Sequence, residues 1–196
     1  MTWLADMYVT LLPGIVAGVL NMVWCLLPVA RPLSRPIDGG RAWRDGRRWL
    51  GDNKTWKGLV GMTVLGLAAT VAWAAICARM PSLEAHMLLF RHHPNTWPYA
   101  ALLGAALGLT YALFELPNSF LKRRFDVTPG RAATGGRRVA FTVLDQIDSI
   151  IGMVLVVALV CPMTIGFFLL YVLVGGITHA AINLALFAVR LRKNPL

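Results

Sequence analysis

The chain has 196 residues, of which 57% are hydrophobic and only 14% charged, and a formal net charge of +10. A soluble domain carries about 25% charged residues, and here the apolar residues fall into runs of span length. This excludes an ordinary soluble domain and predicts an all-α, polytopic membrane protein. The positive charge lies beside the apolar runs with no soluble recognition module, which argues against nucleic acid and for membrane lipid headgroups or a phosphorylated substrate as partner.

In chain order, a first span is predicted over 8–30. It has no basic residue before it and an arginine-rich stretch after it, the pattern of a retained anchor rather than a signal peptide. The stretch 31–58 follows, with eight Lys and Arg and the string GDNKTWKG over 51–58. A second span covers 59–79 and a third 97–117. The loop between them holds His86, His92 and His93, for which the sequence offers no matching acidic partners and no catalytic role is expected. The stretch 118–140 carries Lys122-Arg123-Arg124. The apolar run 141–189 is too long for one helix, and Cys161-Pro162 is the expected break, giving spans 141–161 and 163–189.

Five helices in one membrane-embedded domain, 1–196, are therefore expected. The segments 31–58, 118–139 and 190–196 hold eight, six and three of the 19 Lys and Arg residues. All three fall on one face of a five-span topology, so the positive-inside rule places them in the cytoplasm and the amino terminus outside. Localisation in the cell membrane, with the polar site facing the cytoplasm, follows. Cys25, Cys77 and Cys161 lie in or beside spans at no metal-like spacing and are read as packing residues.

Intramembrane carboxylates mark functional sites by default. Asp145 and Asp148, at i and i+3, share a helical face roughly 5–6 Å apart at Cβ, and Glu115 lies at similar depth near the end of the third span. Two such carboxylates repel each other unless a cation joins them. Mg²⁺ suits the pair, because it takes one or two carboxylates plus substrate phosphates; pairing with Arg137 or Arg138 is the structural alternative. Lys122, Arg123 and Arg124 point in different directions, so that some can clamp phosphate while another faces lipid headgroups; the alternative is a topogenic signal alone. Asn53, Lys54 and Thr55 fail the P-loop pattern, yet glycine-exposed amides and a lysine before a helix hold phosphate by the same physics. His179 and Asn183, at i and i+4, share a face of the last span.

The ordered strings GDNKTWKG, PNSFLKRRFDVTPG, LDQIDSIIG and THAAIN resemble the CDP-archaeol synthase family of membrane cytidylyltransferases. The broader phosphatidate cytidylyltransferases share the basic block followed by D-x-x-D, but their intervening lysine-aspartate and histidine-glycine-glycine pattern is absent. The resemblance implies Mg²⁺-dependent transfer of CMP from CTP to an archaetidic-acid-like or phosphatidate lipid phosphate, with release of pyrophosphate. By the same resemblance Asp145 and Asp148 hold the metal, and Lys122 and Arg123 bind phosphate. Asn53, Lys54, Thr55, Glu115, Asn118, Arg124, His179 and Asn183 become candidate nucleotide or substrate contacts. A CTP-dependent lipid kinase and a non-enzymatic transporter or lipid-binding protein are the rival readings.

Overall fold

A computed structural model describes residues 2–131 and 133–191. The chain forms α1 (Thr2–Leu26), α2 (Trp56–Cys77), the single turn α3 (Pro81–Glu84), α4 (Trp97–Arg124), α5 (Arg138–Val160) and α6 (Ile165–Ala188). All except α3 are long and apolar enough to cross a membrane. The basic end of the bundle carries the α1–α2 and α4–α5 connections, and the α2–α4 connection closes the opposite end. Two basic residues of the 190–196 tail, Arg192 and Lys193, lie outside the described residues.

The element ends differ from expectation where proline was read too simply. The first helix begins at Thr2 and stops at Leu26, because Pro28 disfavours helical geometry at the residue before it. Lys57, only 3% exposed, caps that end by donating from Nζ to the carbonyl of Leu27 at 2.6 Å. By contrast, Pro117 lies inside α4, which runs on to Arg124. Proline removes one N–H, a loss that membrane helices tolerate where neighbouring elements support them. Residues 118–124 are therefore helical, not the start of a loop. Between α5 and α6 the chain breaks at the expected place, and Thr164 caps α6 by accepting from the Phe167 amide at 3.3 Å.

The tightest helix pair is α2 with α4. A Cβ at Gly108 would lie 2.2 Å from the Met62 carbonyl oxygen, and one at Gly66 would lie 2.6 Å from the Gly104 oxygen. Small residues let membrane helices approach backbone to backbone. Gly108→Val is accordingly expected to force α2 and α4 apart and cost about 1–3 kcal/mol, read as a lower unfolding temperature in detergent; an unchanged temperature would contradict this packing. Gly152 on α5 serves the same purpose against the Thr110 carbonyl of α4.

The opposite end is sealed. Met87, Leu88, Leu89 and Phe90 are buried and join the core made by α1, α4 and α5. The Thr10 hydroxyl accepts from the Leu88 amide at 2.9 Å. His86 does have an acidic partner, contrary to the sequence expectation: Nδ1 lies 2.7 Å from Oδ1 of Asp6, whose other oxygen accepts from Arg91 at 3.3 Å. Asp6, distant in sequence, sits on the first turns of α1, so this cluster fastens the α2–α4 connection to α1.

Candidate active site

Helical geometry at the end of α4 sorts the basic block. At about 100° per residue, Asn118 and Lys122 share one direction and Ser119 and Arg123 the next, while Phe120 and Arg124 point away. The Asn118 amide donates to both Asp145, at 2.7 Å, and Asp148, at 2.8 Å. Lys122 Nζ is 2.5 Å from both oxygens of Asp145. The two aspartates thus converge as their i, i+3 spacing predicted, and Asp145 pairs with Lys122. Arg137 instead lies over the Phe125 ring at 4.6 Å.

From the first connection, Lys54 reaches across to form an ion pair with Glu115. Burial works against its charge, but Glu115, with Asp148 and Asp145 beyond it, holds the Lys54 ammonium above its ordinary pKa. Thr55 is partly committed elsewhere: its hydroxyl caps α2 by accepting from the Gly58 amide at 3.2 Å. Arg123 is the exception among these cations. It is 7% exposed, and its Nε and Nη1 have no hydrogen-bond partner among the described residues. A buried, unsatisfied guanidinium is costly, and an anion in the cavity it lines would satisfy it.

That cavity has a volume of about 580 Å³. At the basic end it is walled by Asn53, Lys54, Thr55, Glu115, Asn118, Lys122, Arg123, Asp145 and Asp148. Away from that end its walls are largely apolar, with Met7, Leu11 and Ile15 of α1 and Ile150 and Met153 of α5, while Val19, Met22, Ile182 and Leu186 add apolar wall nearer the charged groups. His179 and Asn183 also line it. The ring Nε2 of His179 is 3.3 Å from the Tyr111 hydroxyl, and Asn183 donates to Gln146 Oε1 at 2.9 Å. These two residues tie α6 to α4 and α5 beside the aspartates.

One predicted contact is not brought into the site. Arg124 does not line the cavity; it donates to Asp45 at 2.6 Å and lies over the Phe120 ring at 4.7 Å. Tyr111 and Arg131 line the cavity and were missed. Tyr111 precedes Glu115 by four residues and Asn118 by seven, a helical stripe visible in the sequence. For Arg131 no spacing signal existed.

The first connection is organised by Asp38, whose side chain is 3% exposed. Its oxygens accept from the amides of Gly40 at 3.1 Å, Leu50 at 3.0 Å and Gly51 at 3.1 Å, and from Arg48 at 2.7 Å. Burial pushes the carboxyl up, but Arg48 and the three amides outweigh it and hold the pKa well below the usual carboxylate range. A depressed folded pKa gives stability that is complete above the unfolded value, about 3.9, and lost as pH falls below it. Trp43 and Trp49 fluorescence should therefore report loosening of this loop only below about pH 4; a transition near neutrality would contradict the assignment.

The arrangement of carboxylates and cations under an apolar chamber is what a reaction between a charged nucleotide and a lipid anion needs. A model of the family described as CarS-like, CDP-archaeol synthase, matches residues 7–195. The chain belongs to the CDP-archaeol synthase family. It is similar to the CDP-archaeol synthase of Pyrococcus furiosus, 30% identical over 90% of this chain and 98% of the relative. The Halobacterium salinarum protein of the same name is 35% identical over 78% of this chain and 79% of its own. A solved structure of an intramembrane enzyme for archaeal membrane lipid biosynthesis superposes with a TM-score of 0.61, at 28% identity, covering 90% of this chain and 91% of that one. The sequence resemblance is borne out, and with it the activity: the protein is a CTP:lipid-phosphate cytidylyltransferase of membrane-lipid synthesis.

Among the described residues, no three His, Cys, Asp or Glu side chains are grouped to hold an ion, which does not suit a protein-only cage. Two carboxylates held 2.7 and 2.8 Å from one amide do suit Mg²⁺, which takes its remaining oxygens from water and phosphate.

Proposed function

We propose that this CDP-archaeol synthase family member transfers CMP from CTP to an archaetidic-acid-type lipid phosphate with Mg²⁺, on the cytoplasmic face of the cell membrane. The observation that carries this reading is Arg123, buried and with nitrogens that find no partner among the described residues, in the wall of a cavity that has both charged and apolar parts. The lipid phosphate lies against Arg123, with its chains between α1 and α6, and the triphosphate lies toward Asn53, Lys54 and Lys122. Asp145 and Asp148 hold Mg²⁺, which when bound supplies charge neutralisation for the phosphates.

A lipid phosphate oxygen attacks the α-phosphorus of CTP; the bond to the β-phosphate oxygen breaks, and pyrophosphate leaves with the electron pair. A phosphate monoester is already a nucleophile, so no strong general base is required. Lys122 and Arg123 hold the two anions in line, and much of the rate comes from that positioning and from charge stabilisation. The apolar walls keep the lipid chains out of water, and Lys54 remains charged through Glu115. The excess of Lys and Arg at this end supports a cytoplasmic site and an external amino terminus.

A panel of archaetidic and phosphatidic acids, incubated with CTP and Mg²⁺ and analysed by mass spectrometry, tests the lipid assignment. CDP-archaeol as the preferred product is expected. Preferential conversion of phosphatidic acid would overturn the isoprenoid assignment, and dependence on neither lipid would overturn the site.

A further inference from the structure

The hairpin at 42–48 and the last turn of α4 are locked together by a reciprocal pair of arginines. Arg124 donates to the carboxylate of Asp45 at 2.6 Å and to the Arg47 carbonyl at 3.1 Å, and it also reaches the Arg48 carbonyl. In return, Arg47 donates to the Arg124 carbonyl and to Asp126 at 2.6 Å. Each arginine therefore holds both the side chain and the backbone of the other's segment. Phe120 extends the contact, with the Trp43 and Trp49 rings edge-on at 5.6 and 6.0 Å. Farther along, Pro129 packs on Gly51: a Cβ there would lie 2.7 Å from Pro129 Cγ, and the Gly51 φ of +113° disfavours one in any case.

None of Asp45, Arg47, Arg124 and Asp126 lines the cavity. Yet Arg124 adjoins Arg123 in the chain, and Arg48, which follows Arg47, is bound to Asp38 and Asp52 immediately before Asn53 and Lys54. The clasp thus joins the two segments that face each other across the charged end of the cavity. We propose that Asp45, Arg47, Arg124 and Asp126 are positioning residues that set the affinity for CTP by fixing the Asn53–Thr55 segment opposite Lys122 and Arg123. This rests on the reading that the triphosphate occupies that end. Each arginine holds a carboxylate and a backbone carbonyl at once, which fixes geometry as well as attraction, and the lipid chamber, deeper in the bundle, is unaffected by their loss.

The test is a cycle of Asp45→Ala, Arg124→Ala and the double variant, with Asp45→Glu as the conservative control. CTP affinity is measured by calorimetry with Mg²⁺ in detergent, and KM for CTP and for the lipid phosphate by turnover. Each alanine variant is expected to weaken CTP binding about tenfold, with little further loss in the double variant, because contacting residues are energetically coupled. Lipid KM should stay within about twofold and Asp45→Glu should restore most of the affinity. Equal changes in both KM values, independent effects that multiply, or affinity that does not change would each overturn the proposal. Calorimetry keeps the outcomes separable: if wild-type protein binds CTP but makes no CDP-lipid, the reaction fails and the clasp is still measured, whereas absence of CTP binding in wild type overturns both.

Discussion

Replacing Arg123 with methionine is expected to raise the thermal stability of the protein while cutting its turnover about a hundredfold. The guanidinium is 7% exposed and its Nε and Nη1 have no partner among the described residues, and Arg48 adds a like charge nearby. A desolvated, uncompensated charge costs several kcal/mol, and an apolar replacement of similar length recovers about 1–4 kcal/mol of it. In the proposed function the same charge meets the lipid phosphate, so its removal is expected to take away binding and alignment together. Stability gained with activity lost is the usual signature of a residue kept for function. Thermal unfolding and steady-state turnover on the same preparation check this. A variant that loses both together would make Arg123 a structural residue.

Asp145→Asn and Asp148→Asn are each expected to lower kcat on the order of 10²–10³-fold, the scale of removing one well-placed electrostatic group from a reaction centre. The two should differ in stability. Asp145 is the ion-pair partner of Lys122, so its neutralisation leaves a buried ammonium unpaired and lowers the unfolding temperature. Asp148 accepts from Asn118 at 2.8 Å and from the Ser149 amide at 2.6 Å, and an asparagine keeps an acceptor for one of these. Asp148→Asn is therefore the cleaner test of metal binding, and its Mg²⁺ requirement should rise as kcat falls. Turnover near that of wild type in Asp148→Asn would reduce this carboxylate to a hydrogen-bond acceptor.

The spans were legible because hydrophobic runs of membrane length leave few alternatives, and the break at Cys161-Pro162 was where proline chemistry put it. The convergence of Asp145 and Asp148 was equally plain, since i, i+3 spacing fixes a shared face once the helix is given. Contacts that depend on which segments meet across the bundle were not legible. Nothing local to Lys54 names Glu115 as its partner, and nothing near His86 points to Asp6, 80 positions away. Arg124 was misplaced for a related reason. Three consecutive cations point in different directions, but with Lys122-Arg123-Arg124 read as part of a loop nothing fixed which of them faces the substrate. Continuation of α4 through Pro117 fixes their directions and turns the last one outward.

The most direct measurement of the central claim is the fate of label from CTP in one reaction, run in parallel with the α- or the γ-phosphorus labelled, using wild-type protein, Mg²⁺ and archaetidic acid. Cytidylyl transfer at this site predicts α-label in the lipid product, γ-label in pyrophosphate, and both products formed on the order of 10²–10³-fold more slowly in the Asp148→Asn variant. Appearance of γ-label in the lipid, with CDP released, would contradict the account and make the site that of a lipid kinase.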